Sequence, residues 1–307
     1  MKNVVVIGGG HGLSTILDKT KDIEDINISA IVTVADDGGS TGRLRQLYNV
    51  PAVGDIRNVL TTLSESNYLI KDLMNFRFEG DNTDVSGHSL GNLILVALIQ
   101  MSGSLEGAIN ALSEMLNAKG KIIPSTLEKV TLYARMDDDT IVKGEANIPS
   151  FVHHISDVFY DHDVSSNVSA IKAIEEADLI IYGIGSLYTS IIPNLIIKGI
   201  NEALNKSKAK KVYFANCMSQ SNETYNYDLK DHVDALTKCN VPIDLIIKHN
   251  DIIPEEIKAK YLKTNSTEIL NNGGFDIPVK ECRLLTFEDG LVRHDSLAIK
   301  NVIEELL

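Results

Sequence analysis

The sequence lacks long apolar runs and an excess of basic residues. Its apolar stretch at residues 93–99 is far shorter than the roughly 20 residues that a membrane-spanning helix requires. The N-terminal apolar run ends at glycines after residue 7, too early for the apolar region of a signal peptide. Acidic residues outnumber basic ones by 42 to 29, which gives a formal net charge of −13 and disfavours a nucleic-acid or anionic-membrane surface. We therefore expect a cytoplasmic protein with no nucleic-acid partner and no membrane insertion.

Cysteine and the common catalytic motifs are also scarce. Cys217, Cys239 and Cys282 have no CxxC spacing, so neither a disulfide framework nor a zinc ribbon is predicted. The chain has no GK[ST] P-loop and no HExxH motif. The pair His153 and His154 is interpreted as a loop or surface feature. A covalent nucleophile is not expected, and the absence of CxxC and HExxH argues against a zinc enzyme.

What the sequence does contain is an alternation of apolar strands and helical patterns. Hydrophobic residues make up 44% and charged residues 23%, as in ordinary globular proteins. Apolar runs typical of strands covered on both faces lie at residues 4–7, 28–34, 179–183, 211–215 and 243–247. Helical patterns lie at residues 13–19, 55–63, 90–100, 105–117, 168–176, 190–204 and 297–306. The pattern predicts a Rossmann-like, doubly wound, mainly parallel α/β sheet with a C-terminal helix.

Two segments interrupt this alternation and predict small β decorations. Residues 130–135 and 140–146 flank a turn of three aspartates and favour a hairpin. Residues 278–287 and 290–293 favour another short β excursion. No linker or repeat divides the chain. We expect a single domain over residues 1–307, with a small C-terminal lobe from about residue 250.

The first glycine loop follows directly after the first strand. It reads Gly8 Gly9 Gly10 His11 Gly12, and small residues there let backbone N–H groups approach a phosphate at the start of a helix. The loop departs from the dinucleotide fingerprint GxGxxG because its third position is Leu13. A nucleotide-like anion is therefore expected, although glycines at this point can also serve only to tighten the turn.

Asp36 and Asp37 follow the second strand and precede a second glycine-rich run. One carboxylate could accept hydrogen bonds from a ribose diol, as at a Rossmann site, or both could hold Mg²⁺ against a phosphate. A solvated Asp-Gly turn is the third interpretation. Ser40 and Arg43 lie just downstream, and an arginine can pair with an anionic ligand.

Further polar groups follow later turns and belong to the same predicted ligand crevice. The carboxyl ends of parallel strands meet at one edge of a sheet, which is where ligands bind in open α/β folds. Asp55 could cap its helix or serve the site. The other candidates in this set are Asn58, His88, Ser89, Asn92, Gly185, Ser186, Ser190 and Asn216.

Five ordered motifs give the chain a family resemblance that covers nearly its whole length. They are GGGHGLS at 8–14, IVTVADDGGSTGRLR at 31–45, GDIRN at 54–58, GHSLGNL at 87–93 and GSLYTSIIPNL at 185–195. Together they resemble the gluconeogenesis-factor (YvcK/GlmR) branch of the CofD-like, or 2-phospho-L-lactate transferase-like, family. The resemblance implies a bacterial cytoplasmic protein with a Rossmann-like fold.

The two branches of that family imply different activities. Gluconeogenesis factors are understood to bind UDP-sugars, notably UDP-N-acetylglucosamine. They adjust cell-wall precursor supply and support cell shape on gluconeogenic carbon sources. The CofD branch transfers a phospholactyl or related group from a guanosine-diphosphate donor to a deazaflavin alcohol, with Mg²⁺. We expect the first activity, without catalysis of its own. A CofD-type transferase is the alternative, and a nicotinamide-dependent oxidoreductase is the second alternative.

The resemblance also assigns roles to individual residues. Gly9, Gly10 and Gly12 would approach the ligand, with His11 at a position where many relatives carry threonine. In a transferase, Asp37 and Asp55 would be the catalytic carboxylates that hold Mg²⁺. Gly185, Ser186 and Ser190 match the phosphate loop, with Ile184 where a proline is common. Tyr261 and Arg293 are further ligand candidates. An enzyme regulated by the protein and a homo-oligomeric state are the remaining expectations.

Overall fold

The structure is a computed structural model that describes residues 1–80, 84–150 and 153–307. Its strands are β1 (Lys2–Gly8), β2 (Ile26–Val32), β3 (Lys121–Pro124), β4 (Leu132–Met136), β5 (Ile141–Lys143), β6 (Ile155–Tyr160), β7 (Leu179–Tyr182), β8 (Lys210–Phe214), β9 (Leu245–His249), β10 (Val279–Cys282), β11 (Leu285–Glu288) and β12 (Leu291–His294).

Helices fill most of the connections between these strands. They are α1 (Gly10–Thr20), α2 (Gly39–Tyr48), α3 (Gly54–Leu63), α4 (Tyr68–Asn75), α5 (Leu90–Ser102), α6 (Leu105–Met115), α7 (Val168–Glu175), α8 (Ile192–Leu195), α9 (Lys198–Lys206), α10 (Leu229–Lys238), α11 (Glu255–Leu262) and α12 (Ser296–Leu306). A 3-10 helix spans Glu145–Ser150, and a π-helical turn spans Leu187–Ile191. No helix in the described ranges has both the length and the apolar character needed to cross a bilayer.

The central layer is a seven-stranded parallel sheet in the order β10-β9-β8-β7-β1-β2-β3. Its interior strand β1, between β7 and β2, is apolar at consecutive positions because helices cover both faces of the sheet, and Val4–Ile7 are at most 1% exposed. Helix α1 packs against α3 and α12. The predicted Rossmann-like, doubly wound sheet with a C-terminal helix is confirmed.

The strand order reverses between β1 and β7. The chain first builds outward through β1, β2 and β3, and then returns to the other side of β1 to add β7 to β10. A crevice opens at such a reversal, outside the carboxyl ends of the strands, because the loops on either side leave in opposite directions. The first glycine loop follows β1 and the 183–190 loop follows β7, so both flank this point.

The small antiparallel elements agree in part with expectation. The predicted hairpin is formed by β4 and β5, and β6 adds a third strand that the pattern did not indicate. The expected β excursion at residues 278–287 is wrong in one respect, because β10 pairs in parallel with β9 and becomes an edge of the main sheet. Only β11 and β12 form a separate hairpin.

The predicted helix at residues 190–204 is interrupted. It consists of the π-helical turn, the short α8 and then α9, separated at Ile197, whose backbone is extended. Pro193 lies in the first turn of α8, where a missing N–H is tolerated. Because proline has no N–H to donate to the turn before it, Pro193 cannot continue a helix from that turn. Residues 39–48, which begin in the second glycine-rich run and were given no helix from sequence, form α2.

Candidate functional site

The first glycine loop is shaped by close approach of its neighbours. A Cβ on Gly12 would lie 2.1 Å from the carbonyl oxygen of Ile184, and one on Gly9 would lie 2.6 Å from Asp55 Oδ2. Gly10 adopts φ +55°, which favours glycine. No side chain caps the N-terminus of α1 at Gly9. The loop therefore presents backbone donors of a helix N-terminus at the crevice.

Three carboxyl groups line a cavity of about 770 Å³ beside this loop, here called the first cavity. Asp36 comes from the end of β2, Asp55 from the start of α3, and Glu145 from the 3-10 helix after β5. Burial raises the pKa of Asp36. Burial and then the charge of Asp36 raise the pKa of Asp55 to about 7. Burial, followed by Asp36 and Asp55, raises the pKa of Glu145 to about 8. At neutral pH the group is therefore only partly ionised.

Three arginines line the same cavity and supply positive charge. Arg43 donates to the Ser86 carbonyl oxygen at 2.6 Å, and Arg77 donates to that of Gly87 at 3.0 Å. Arg57 donates to Asn75 Oδ1 and, at 3.4 Å, to Asn92 Oδ1.

Burial lowers the pKa of Arg57 to about 10, so its guanidinium stays protonated at neutral pH. A guanidinium has five donors, and the contacts of each of these arginines use one or two of them. The cavity is thus equipped to pair with an anion.

A buried polar network fixes the wall of the first cavity. Ser40 Oγ lies 2.8 Å from His88 Nδ1 and accepts from Asn92 Nδ2 at 3.2 Å. Ser89 caps α5 by accepting from the Asn92 N–H at 3.3 Å. Ser40, Asn92 and Asn58 line the cavity, whereas His88 and Ser89 are not among its lining residues. Burial lowers the pKa of His88, which favours a neutral ring in this network.

The two adjacent aspartates have different surroundings. The Asp37 carboxylate accepts from the Ala146 N–H at 2.9 Å, and Asp37 is not among the lining residues of the first cavity. The structure thus brings Asp36, rather than Asp37, together with Asp55. Among the described residues, the one group of three metal-binding side chains with ligand atoms within 4.8 Å of one another is Asp137, Asp138 and His153, which are all exposed.

A second cavity of about 380 Å³ lies on the other side of the glycine loop. His11 and Ser190 line both cavities. The other lining residues of the second cavity are Gly9, Gly10, Gly12, Ile184, Gly185, Ser186, Asn216, Cys217, Met218, Gln220 and His294.

Two side chains hold the loop after β7 against this cavity. Asn216 accepts from the Gly185 N–H at 3.2 Å and donates to the Gly185 carbonyl oxygen at 2.9 Å. The carboxylate of Glu223 accepts from the N–H groups of Tyr188 at 2.6 Å and Thr189 at 3.1 Å. Burial raises the pKa of Glu223 to about 7. These contacts explain why a π-helical turn persists here.

Tyr261 and Arg293 lie away from both cavities. The Tyr261 hydroxyl accepts from the Val292 N–H at 3.1 Å, and its ring packs on a buried apolar cluster that includes Ile257. Arg293 is exposed on β12, while its neighbour His294 lines the second cavity. The structure does not bring these two predicted residues to the candidate site.

Several lining residues were not singled out from the sequence. Arg57 was available within the GDIRN motif, where only Asp55 and Asn58 were chosen. Arg77, Glu145, Gln220 and His294 lie outside the five motifs, although His294 follows directly after the chosen Arg293. Only the folded chain shows that they line the two cavities.

The fold and this arrangement define a class: a doubly wound α/β protein with paired cavities at the reversal of its strand order. Comparison with known proteins specifies the family. The family model described as 2-phospho-L-lactate transferase CofD matches residues 4–284. The chain belongs to this CofD family, and it matches the gluconeogenesis factors within it.

Two relatives and one solved structure illustrate the likeness. The gluconeogenesis factor of Bacillus subtilis is 41% identical over 312 residues, which covers 99% of this chain and 98% of that protein. That of Halalkalibacterium halodurans is 44% identical over 272 residues, or 88% and 84% of the two chains. A crystal structure of a Bacillus halodurans protein is 40% identical, superimposes with a TM-score of 0.94 and covers 99% of each chain.

Proposed function

We propose that this protein is a cytoplasmic regulator that binds a UDP-sugar, with UDP-N-acetylglucosamine as the leading candidate, and acts through a partner enzyme. The observation that carries the proposal is the uncapped glycine loop between two cavities, one of which contains three arginines. A nucleoside diphosphate sugar has two neutral ends joined by an anionic centre. That shape matches two cavities on either side of a phosphate-binding loop.

The glycine loop, together with the arginines of the first cavity, supports binding of the anionic part of this ligand. Backbone N–H groups at the start of α1 favour negative charge, and arginine forks bind phosphate oxygens with two parallel hydrogen bonds. Carboxyl groups such as Asp36 and Glu145 accept hydrogen bonds from sugar hydroxyls. The net charge of −13 does not oppose this, because charges beyond a Debye length of about 8 Å are largely screened at physiological ionic strength.

The proposed cellular role follows from the relatives named gluconeogenesis factors. A protein that senses a UDP-linked amino sugar can report the supply of cell-wall precursors and adjust the enzyme that feeds it. Cell shape on gluconeogenic carbon sources is the proposed phenotype. A homo-oligomer that presents several such sites is part of the same proposal.

Calorimetric titration of the purified protein with UDP-N-acetylglucosamine tests the binding step. We expect saturable binding that weakens roughly 10- to 100-fold in Arg43→Gln, because a hydrogen bond to a charged group is lost. Arg135→Gln is the matched control, since Arg135 lies on β4 and pairs with Asp157 at 3.4 Å. Absence of binding at millimolar ligand would remove the proposal.

A CofD-type transferase is the second candidate, and the carboxyl groups of the first cavity favour it. Mg²⁺ is usually held by one or two carboxylates together with substrate phosphates. Asp36 and Asp55 fit that description, since both are carboxyls in a cavity that also offers phosphate contacts. The ion would neutralise charge on a leaving phosphate.

Turnover separates the two candidates. The wild-type protein is incubated with a guanosine-diphosphate-linked donor, a deazaflavin alcohol and Mg²⁺, and product is measured by mass spectrometry. Product that disappears in Asp55→Asn supports the transferase. If no product forms and UDP-sugar binding is intact, the result supports the regulator. Titration with NADH tests the oxidoreductase alternative. The buried Leu13 disfavours this alternative, because it occupies the third glycine position of the GxGxxG fingerprint.

A further inference from the structure

The second cavity differs chemically from the first. Its described lining contains no aspartate, glutamate, lysine or arginine. Ile184, Cys217 and Met218 contribute apolar groups, and each of the three is at most 9% exposed. The first cavity is lined instead by three arginines and three carboxyl groups. A planar group with apolar faces is therefore better accommodated in the second cavity than in the first.

Two residues that line the second cavity each carry a polar atom that has no partner within the described chain. These atoms are Gln220 Oε1 and His294 Nε2, and both are inaccessible to solvent. Gln220 Nε2 donates to Ser186 Oγ at 2.7 Å, so the amide oxygen is the free acceptor. Burial lowers the pKa of His294 to about 4, which keeps its imidazole neutral. Buried polar atoms are normally hydrogen-bonded, so these two atoms point to a ligand.

We propose that the second cavity is the base subsite of the bound nucleotide and that Gln220 selects a base with a ring N–H, as in uracil or guanine. This inference rests on the proposed nucleotide ligand. A ring N–H can donate to Gln220 Oε1. Cytosine and adenine present a lone pair at the equivalent ring nitrogen, which would leave that oxygen unpaired. His294 Nε2 offers a second polar contact to the same base.

The cavity that receives the base fixes the direction of the whole ligand. With the base beside Met218, the diphosphate lies along Gly9–Gly12, between His11 and Ser190, which line both cavities. The sugar then enters the first cavity, among its carboxyl and guanidinium groups. The first cavity therefore recognises the group that varies among nucleotide sugars.

Two native methionines report on the two cavities. Met218 lines the second cavity. Met74 does not line the first cavity but packs near Arg57, which does, because a Cβ on Gly91 would be 2.8 Å from both the Met74 methyl carbon and Arg57 Cγ. Methyl NMR of ¹³C-methionine protein, assigned with Met218→Leu and Met74→Leu, would follow UDP and base-free pyrophosphate separately.

We expect UDP to shift the Met218 methyl through the ring current of the base, and pyrophosphate to leave it nearly unchanged. A shift of Met74 alone by UDP would place the base in the first cavity and overturn the inference, while nucleotide binding would stand. If neither methyl moves at saturating UDP, both the inference and the proposed function fail.

Base selectivity provides the second measurement. We expect wild-type protein to bind UDP or GDP at least about tenfold more tightly than CDP and ADP, since an unpaired buried acceptor is costly. Gln220→Met should bring the ratio towards one, whereas Gln46→Met, an exposed position on α2, should not. If all four nucleotides bind equally to the wild type, or Gln220→Met keeps its selectivity, the inference is overturned. The preference between UDP and GDP also separates the regulator from the transferase.

Discussion

At the scale of single residues, Asp55 links the glycine loop to the carboxyl groups of the first cavity. Its pKa of about 7 in the folded chain exceeds the ordinary value of 3.8. Folding therefore favours the protonated form. The resulting stabilisation is complete below about pH 4 and is lost as the pH rises through 7.

Asp55→Asn should remove this pH dependence. Relative to the variant, the wild-type free energy of unfolding should fall between pH 4 and 7 by up to about 1.4 kcal/mol per pH unit. Urea denaturation at several pH values measures the difference. Asp18→Asn, on helix α1 and 43% exposed at its side chain, is the control. Parallel pH profiles for the wild type and Asp55→Asn would contradict the expectation.

Gly12 offers a test of the close approach between the two loops. Gly12→Ala should destabilise the protein by about 1–3 kcal/mol, because its Cβ would meet the Ile184 carbonyl oxygen at 2.1 Å. Gly8→Ala is the matched control, since its nearest neighbour lies at 3.6 Å. Thermal and urea unfolding of the two variants give the comparison. Equal stabilities would show that the loops can separate without cost.

Residue types in the site were more predictable than side-chain directions. The motifs predicted carboxylates, glycines and Arg43 at the carboxyl edge of the sheet. They did not indicate which of Asp36 and Asp37 enters the first cavity, because that depends on the Ala146 N–H contributed by a segment more than one hundred residues away. Arg77 and His294 are brought to the cavities only by tertiary structure.

At the scale of elements, the π-helical turn depends on Glu223. Glu223→Ala should leave the Tyr188 and Thr189 N–H groups without their acceptor and destabilise the protein by about 2–4 kcal/mol. Hydrogen exchange at residues 187–191 should accelerate. Glu223→Gln keeps an acceptor oxygen and should recover much of the protection. Unchanged exchange in the alanine variant would show that the turn holds without this contact.

Elements with a strong apolar period were predictable, and those defined by their surroundings were not. Strand β1 and helix α5 have long apolar patterns of their own. Strand β10 is short and half-buried, so only its pairing with β9 makes it part of the main sheet. Helix α2 begins with glycine, serine and threonine, which are typical of loops, yet Thr41 and Leu44 are buried in the folded chain.

At the scale of the whole molecule, the site joins the two halves of the central sheet. A ligand that fills both cavities contacts the segments that follow β1 and β2 on one side and those that follow β7 and β8 on the other. At a concentration 100 times its Kd, UDP-N-acetylglucosamine should stabilise the folded protein by about 2.7 kcal/mol. Thermal unfolding at increasing ligand concentrations measures this stabilisation. We expect Tm to keep rising beyond the concentration that saturates the folded protein. A Tm independent of ligand would contradict the proposal.

The strand order of the sheet could not be predicted from the periodicity of apolar residues. Apolar patterns identify strands and their parallel character, but every parallel order of the same strands shows the same periods. The family resemblance implied a Rossmann-like fold but no strand order, which only the structure shows. The paired cavities follow from that order, since they exist only where β1 and β7 are neighbours.

The glycine loop has one more consequence for how such proteins diversify. In the proposed site its contacts with an anion are made by main-chain atoms, which side-chain substitution cannot remove. Sequence change can therefore remodel the chambers on either side while the anion stays anchored. A single ancestral anchor of this kind can serve both a transferase, such as the one that gives the family model its description, and a protein that only senses its ligand.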